Sequence, residues 1–278
     1  MKEETGYFSS FDGTKLFYRA WEQDTQNVLI IFHGIGEHSG RYRETIDSLS
    51  ELPFSFFIYD MRGHGHSEGE RVYINAFDDL IKDAYSFKKF IETRRSQRAR
   101  NFILMGQSLG GLVATAVALE NQKDWRVLIL FSPFFSVGHS HELLFVLAKF
   151  LNVLCPKKIW RNPIKPMFLT HDQEEIKRYK RDPLVQRRIT GHMAYEMFKG
   201  CARVRSHAKQ LSLPLLVLAG GDDHIVSTRE VGRFFDQASS SEKQIEIFPK
   251  CYHELLHERE REIALTIVKK YLLKLGLH

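Results

Sequence analysis

Short apolar runs without polar alternation recur along the chain and predict strands that are buried on both faces. Such runs are typical of a parallel sheet that helices cover on each side. Each run gives way to polar or glycine-rich residues, which indicates a loop at the end of the strand. The predicted strands are 28–32, 54–59, 102–105, 127–131, 215–218 and 245–248.

Helical periodicity fills several of the gaps between these runs. Apolar residues recur at spacings of three and four over 77–91, 112–119 and 263–271, the pattern of an amphipathic helix. Strands and helices therefore alternate, which predicts an α/β fold with a mostly parallel central sheet and helices on both faces. Near the amino terminus, Asp12-Gly13 stands between two short apolar runs and predicts a β-hairpin.

Residues 134–213 interrupt this alternation. No strand pattern occurs there, and charged and helix-forming residues dominate. We expect an inserted helical cap (lid) over the carboxyl edge of the sheet, with a core formed by 1–133 and 214–278. Within the insertion, the largely apolar run 143–154 predicts a helix of about 18 Å, too short to span a bilayer. This helix packs as core between cap and sheet, lines an acyl tunnel, or dips into a lipid surface.

The excess positive charge is confined to this insertion. The chain carries 40 Lys and Arg against 34 Asp and Glu, a net charge of +6. Residues 134–213 alone hold 15 basic and 6 acidic side chains. A solvated face and a surface that meets something anionic both fit this distribution. A nucleic-acid partner is not expected, because the chain has no recognition motif and no regular aromatic interleaving in the basic segment.

Composition narrows the class of protein further. With 278 residues, of which 43% are hydrophobic, the chain is neither a disordered protein nor a disulfide scaffold. Its three cysteines are far apart and odd in number, which indicates reduced thiols. Residues 1–5 lack the apolar core of a secretory signal. We therefore expect a cytoplasmic protein, with the basic cap as a candidate for peripheral contact with an anionic membrane surface.

The segment Gly106-Gln107-Ser108-Leu109-Gly110 carries the clearest chemical signal. It follows a predicted strand and opens a predicted helix, the context in which G-x-S-x-G presents a nucleophilic serine. A turn tight enough to raise the hydroxyl above the sheet leaves no room for side chains two positions away, so glycine stands on each side. The helix amides below point at any developing negative charge. Ser108 is therefore the candidate nucleophile, and a plain glycine-rich turn is the disfavoured alternative.

A serine hydroxyl needs a base and an orienting carboxylate, and two later strands end beside candidates. Asp222 and Asp223 follow the strand 215–218, and His253 follows the strand 245–248. One helix and one strand separate them, which brings both loops to the same sheet edge. The neighbouring aspartates remain alternatives at this point. His253 is preferred over His257 because it lies nearer to the end of its strand.

Two backbone amides are candidates for holding an oxyanion. The amide of Leu109 follows the nucleophile, and the amide of Ile35 lies in the loop after the first long strand. The histidines of that loop, His33 and His38, are expected to brace the backbone. Another group, Asp60, His64 and His66, could suggest a metal site, but no separated pair of ligands completes the shell, so turn-bracing is favoured there too.

Three motifs carry a family resemblance. Residues 33–42 (HGIGEHSGRY), 60–69 (DMRGHGHSEG) and 106–111 (GQSLGG) resemble the monoacylglycerol lipase and lysophospholipase branch of the α/β-hydrolases. The similarity runs through 5–135 and 213–275. It implies an α/β-hydrolase fold and a serine esterase with no cofactor and no metal, acting on single-chain acyl esters of the lipid type through an acyl-enzyme.

The resemblance also selects site residues. The family's acid loop, G-x-x-D-x-[IV]-V, matches 220–226 and thereby implies Asp223 over Asp222. An aromatic residue precedes the family's histidine, as Tyr252 precedes His253 here. In the cap only 181–185 are of family type, so the resemblance leaves open whether the substrate is a monoacylglycerol or a lysophospholipid.

Other functions fit the same residues. A short-chain carboxylesterase or a serine aminopeptidase of this fold would use the same triad. A catalytically inactive hydrolase fold acting as a binding protein is an alternative of a different class.

Overall fold

Strands and helices alternate through most of the chain. The computed structural model of the protein describes residues 1–95, 99–137 and 141–277. Over these ranges the strands are β1 (Glu3–Ser9), β2 (Lys15–Trp21), β3 (Asn27–Phe32), β4 (Ser55–Tyr59), β5 (Asn101–Gln107), β6 (Val127–Phe131), β7 (Ile159–Arg161), β8 (Arg188–Thr190), β9 (Leu215–Gly220) and β10 (Lys243–Phe248). The α-helices are α1 (Arg43–Leu49), α2 (Phe77–Arg94), α3 (Leu109–Glu120), α4 (His141–Leu154), α5 (Gln173–Arg181), α6 (Gly191–Ser206), α7 (Thr228–Gln237) and α8 (Arg261–Lys274).

The central sheet has the strand order β1-β2-β4-β3-β5-β6-β9-β10. Strands β1 and β2 form an antiparallel hairpin, and β2 pairs antiparallel with β4. Every other neighbouring pair in this sheet is parallel. The mostly parallel sheet, its six long strands and the amino-terminal hairpin are therefore confirmed.

Side chains of the inner strands are buried on both faces of the sheet. On β3, Ile30 packs in the cluster that holds residues of α2, α3, α6 and α7. Its neighbours Leu29 and Ile31 pack in the second cluster, with α1 and α8. Because successive side chains of a strand point to opposite faces, this double cover explains the unbroken apolar runs in the sequence. Full burial of each such side chain contributes about 1.5–3 kcal/mol.

The carboxyl ends of the parallel strands lie level with one another. Phe32 pairs with Gly106, Gln107 with Phe131, and Phe248 with Gly220. Four loops, those after β3, β5, β9 and β10, therefore start at the same edge of the sheet. Ligands of open α/β sheets bind at this edge.

The chain between β6 and β9 contains α4, α5 and α6, as the composition of the insertion predicted, but it also contains strands. Strands β7 and β8 pair antiparallel over three residues each, so the expectation of no strand in this segment was wrong. Three residues are too few for a periodic signal, and Arg161 and Arg188 interrupt the apolar pattern. The division of the chain into a core and a cap at 134–213 stays a prediction. Over the described ranges, none of the helices is both long enough and apolar enough to cross a bilayer.

Helix α8 buries most, but not all, of its predicted apolar face. The pattern over 263–271 placed Ile263, Ile267 and Tyr271 on that face; Tyr271 is buried and Ile267 packs against the second cluster. Ile263 is 59% exposed, so the prediction was wrong at this residue. Ala264, Leu265 and Val268 are buried as well.

Candidate active site

Ser108 lies in a strained turn between β5 and α3. Its φ of 54° and ψ of −117° belong to a backbone region that residues other than glycine rarely adopt. Three hydrogen bonds hold its backbone: its amide donates to the Phe131 carbonyl (3.0 Å), and its carbonyl accepts from Leu112 (3.1 Å) and Phe134 (3.0 Å). This conformation raises the serine above the end of the sheet.

Glycines on both sides make this turn possible. A Cβ atom on Gly110 would lie 2.0 Å from the carbonyl oxygen of Phe32, and one on Gly106 would lie 2.3 Å from the carbonyl oxygen of Gly110. Both distances are far inside van der Waals contact. The turn therefore has the geometry that the spacing of glycines in the sequence predicted.

His253 and Asp223 meet at the same sheet edge. Nδ1 of His253 lies 2.7 Å from Oδ2 of Asp223, and the two side chains are 3% and 0% exposed. The amides of Ile225 and Val226 donate to Oδ1 of Asp223 (2.8 and 3.0 Å), which fixes the carboxylate. Asp222 points to solvent, with Oδ1 3.4 Å from Nε2 of His224. The structure thus brings Asp223, and not Asp222, to the histidine.

The environment of His253 changes its basicity. Burial works to lower its pKa, but the carboxylates of Asp223 and Glu254 outweigh burial, so the pKa lies above its usual value. Its Nε2 atom is buried and has no hydrogen-bond partner among the described residues. This nitrogen is therefore free to accept a proton from a hydroxyl group at the sheet edge.

Several hydrogen bonds hold the loop after β3 around Ile35. The amide of Gly34 donates to Oε2 of Glu37 (2.9 Å), and the amide of Glu37 donates back to the Gly34 carbonyl (3.3 Å). His33 uses both ring nitrogens: Nδ1 lies 2.8 Å from the Gly34 carbonyl oxygen, and Nε2 accepts from the Met61 amide (2.9 Å). Burial and the neighbouring His64 lower the pKa of His33 to about 3. His33 therefore braces the loop as a neutral ring.

A buried charge network links this loop to the loop of His253, and the sequence analysis did not find it. The Arg41 guanidinium contacts the carboxylate of Glu37 and donates to both oxygens of Glu254 (3.2 and 2.8 Å). Burial tends to raise the pKa of Glu254, but Arg41 and His257 lower it to about 2. The spacing of Glu37 and Arg41, one helical turn apart, was the available signal.

Three groups of this network have ligand atoms spaced closely enough for a metal ion. Ligand atoms of Glu37, Glu254 and His257 lie within 4.8 Å of one another. The guanidinium of Arg41 contacts both carboxylates and so supplies the cation there. Nε2 of His257 lies 3.2 Å from the Arg41 carbonyl oxygen, away from the loop tip, which separates its role from that of His253.

Two further polar side chains from the sequence analysis brace turns or join segments. Asp60 accepts from the amides of Ser39 (2.6 Å) and His66 (2.8 Å), so both carboxylate oxygens bind backbone. His38 lies with Nε2 2.8 Å from Oδ2 of Asp182 and thereby connects the loop after β3 to the inserted segment. Asp182 was not singled out from the sequence, because its partner is 144 positions away.

An apolar cavity of about 340 Å³ opens beside Ser108. Ile35 also lines it, so the nucleophile and the residue that carries one candidate oxyanion amide border the same space. Helix α4 supplies one wall. The side chains that α4 contributes are Leu144, Leu147, Ala148 and Leu151.

Comparison with known proteins identifies the family. A family model described as "Serine aminopeptidase, S33" (Hydrolase_4) matches residues 23–260. The chain belongs to this family of α/β-hydrolases. Monoglyceride lipase from Mus musculus is 30% identical over 262 residues, which cover 92% of this chain and 85% of that protein.

Two further likenesses agree with this family. The Escherichia coli protein YnbC, itself uncharacterised, is 27% identical over 97% of this chain, which spans only 46% of that longer relative. The crystal structure of a monoacylglycerol lipase from Paleococcus ferrophilus superposes with a TM-score of 0.83 at 26% identity, over 94% of this chain and 99% of that one. The predicted resemblance to the monoacylglycerol lipase branch and the α/β-hydrolase fold are confirmed, and the chain is a hydrolase-fold protein of the lipase and esterase type.

Proposed function

We propose that this protein is a serine hydrolase that cleaves single-chain acyl esters, a monoacylglycerol or a lysophospholipid, through an acyl-enzyme. One observation carries the proposal. The buried pair of Asp223 and His253 stands at the same sheet edge as the strained Ser108, which faces an apolar cavity of about 340 Å³.

The mechanism uses each group once per half-reaction. His253 takes the proton of the Ser108 hydroxyl while the oxygen attacks the ester carbonyl, and Asp223 stabilises the imidazolium. The amides of Ile35 and Leu109 hold the oxyanion; that of Leu109 has no partner within its own helix because it begins α3. The imidazolium then protonates the departing alcohol, and water releases the acid by the same route.

The lining of the cavity favours an acyl ester over a peptide with a free amino terminus. An aminopeptidase needs an acidic group to bind the ammonium of its substrate. Among the described residues that line the cavity there is no carboxylate, and the charged one is Arg161. The names of the mouse and Paleococcus relatives, both monoacylglycerol lipases, point in the same direction.

A serine-reactive fluorophosphonate tests the proposal directly. The protein should be labelled at Ser108 and should hydrolyse medium-chain acylglycerols, and Ser108→Ala should lose both properties. Turnover over a series of acyl chain lengths and amino-acid amides separates lipase, short-chain esterase and aminopeptidase. Absence of labelling in folded protein would instead favour an inactive hydrolase fold that binds ligands.

We also propose that residues 134–213 act as a cap that rests on a membrane surface. The outer face of α4 is apolar and open to solvent, with five side chains between 59% and 73% exposed. An apolar helix face within a basic segment suits an anionic lipid interface. The five side chains are Leu143, Val146, Phe150, Val153 and Leu154.

Vesicle binding tests this second proposal. The protein should bind anionic vesicles more tightly than neutral ones, and added salt should weaken the binding. Equal binding to both kinds of vesicle would leave the basic segment as solubilising charge.

A further inference from the structure

A second cavity, of about 660 Å³, adjoins the apolar cavity beside Ser108 on the side of the small hairpin β7–β8. All three residues of β7 line it, together with Arg188 of β8 and Pro183, Val185, Gln186 and Arg187. Trp160 and Arg161 line both cavities, so the two spaces share a wall. Nothing in the proposed mechanism uses this second space.

Three arginines face the second cavity: Arg161, Arg187 and Arg188. Arg161 and Arg188 stand directly opposite each other in the register of β7 and β8. Like charges in such a cross-strand pair repel and destabilise the sheet. An anion between the two guanidinium groups would offset this repulsion.

Among the residues that the structure describes, no ion pair relieves the repulsion between Arg161 and Arg188. Within the described ranges, none of the three arginines forms an ion pair with an aspartate or a glutamate. Arg178, Arg203 and Arg205, elsewhere in the insertion, do form such pairs, with Glu44, Asp78 and Glu230. A further cation lies close by, since Nζ of Lys158 stands 4.6 Å from the centre of the Trp160 ring.

The wall of this cavity rests on the loop of Ile35. The amide of Gln186, a lining residue, donates to the carbonyl of Gly36 (2.8 Å). The approach is close enough that a Cβ atom on Gly36, whose φ is +75°, would lie 2.3 Å from the Gln186 carbonyl oxygen. The cationic cavity is therefore joined to the loop of Ile35 through Gln186, and it shares Trp160 and Arg161 with the cavity that Ser108 lines.

We propose that this cavity binds the phosphate of an acyl-glycerol-phosphate substrate, so that lysophospholipids are preferred to monoacylglycerols. The acyl chain lies in the apolar cavity, the ester at Ser108, and the phosphate between Arg161 and Arg188. Planar guanidinium groups bind phosphate through paired, charge-assisted hydrogen bonds. This inference rests on the proposed ester hydrolysis and specifies its substrate class.

The test compares two substrates with the same medium acyl chain, a monoacylglycerol and its 3-phosphate, both kept below their aggregation concentrations. The wild type should favour the phosphate substrate in kcat/KM. Arg161→Gln/Arg188→Gln should lower the ratio of the two kcat/KM values roughly 100-fold, about tenfold for each charged contact, mainly through KM. A control with the same charge change, Lys180→Gln/Lys209→Gln, alters exposed positions outside both cavities and should keep the wild-type ratio.

Unchanged specificity in the arginine variant would overturn the inference. The variant should fold, because it removes a repulsive pair, and its melting temperature should equal or exceed that of the wild type. A clear fall in melting temperature would contradict the repulsion on which the argument depends.

Calorimetry separates this inference from the proposed function and separates two sources of phosphate. Glycerol 3-phosphate should bind the wild type and not the arginine variant, even if no ester is hydrolysed. Loss of hydrolysis with retained binding would reject only the proposed reaction. Equal affinity for inorganic phosphate and glycerol 3-phosphate, at constant ionic strength, would reject the lipid headgroup in favour of a free anion.

Discussion

The sheet edge and the inserted segment differ in how fully their polar and apolar groups are paired. At the edge, Ser108, Asp223 and His33 are each held by two or more hydrogen bonds to backbone groups. In the insertion, α4 turns an apolar face to solvent, and Arg161 and Arg188 oppose each other without a counter-ion among the described residues. Hydrogen bonds therefore hold the groups at the edge in one geometry. The insertion has exposed apolar side chains and, within the described ranges, unpaired arginines, which a membrane or a ligand can contact.

The largest effect should come from the carboxylate at the edge. Asp223→Asn should lower kcat about 10,000-fold, because the amide can hold His253 in the wrong tautomer. Asp222→Asn, one position away and exposed, should stay within a factor of two. Steady-state kinetics on one ester substrate decides between them, and equal losses in both variants would contradict the assignment.

The next largest effect should be a loss of stability when a side chain is added in the turn around Ser108. Gly110→Ala places a methyl group 2.0 Å from a carbonyl oxygen and should lower the free energy of unfolding by more than about 3 kcal/mol. Gly232→Ala is the matched control, because it lies within α7 with nothing inside 4 Å of the new Cβ. That change should raise stability by up to about 1 kcal/mol. Urea unfolding measures both, and a small loss for Gly110→Ala would show that the turn can relax.

Low pH should lower the free energy of unfolding because it protonates His33. Its folded pKa of about 3 lies below the ordinary value of 6.5, so its contribution to stability is complete above pH 6.5 and is lost as the pH falls toward 3. At pH 5 the loss should reach roughly 2 kcal/mol. Denaturant unfolding at several pH values measures this slope, and His33→Gln should flatten it between pH 6.5 and 5. An unchanged slope would place the acid sensitivity elsewhere.

The pH dependence of activity should follow the titration of His253. The pKa of His253 is raised above 6.5, and only the neutral ring accepts the serine proton. kcat/KM should therefore rise with pH through a midpoint above 6.5. An acid limb well below 6.5 would argue against this base.

The smallest effect on folding should come from the outer face of α4. Phe150→Ser removes a side chain that is 59% exposed and should change the free energy of unfolding by less than about 0.5 kcal/mol. It should nevertheless weaken binding to anionic vesicles several-fold, because insertion of apolar surface drives that contact. Co-sedimentation measures the binding. Lys149→Gln on the same helix removes charge without apolar area, and a larger loss in that control would make the contact purely electrostatic.

Much of the sheet edge could be predicted from the sequence, because short stretches of neighbouring residues determine it. Unbroken apolar runs located the strands, and the glycines around Ser108 followed from the shape of one turn. The choice between Asp222 and Asp223 was not local: it needed the family pattern, and in the structure it depends on which carboxylate meets His253. The network of Glu37, Arg41 and Glu254 was missed because its members come from opposite ends of the chain.

The insertion was harder to predict because its elements depend on distant partners. Strand β7 pairs with β8, which begins 27 positions after β7 ends, and each strand has only three residues. The sequence identified α4 as a helix, but its composition could not say which apolar side chains face the cavity and which face solvent. That division is set by how α6 packs against α4.

The bond between Gln186 and Gly36 involves main-chain atoms on both sides. Such a joint constrains the path of the insertion where it touches the loop of Ile35, yet it places no demand on the side chain at position 186. Mutation can therefore rewrite the neighbouring positions while the junction survives. Under the proposed function, substitutions in this part of the chain can change which acyl ester is preferred while the loop of Ile35 keeps its position.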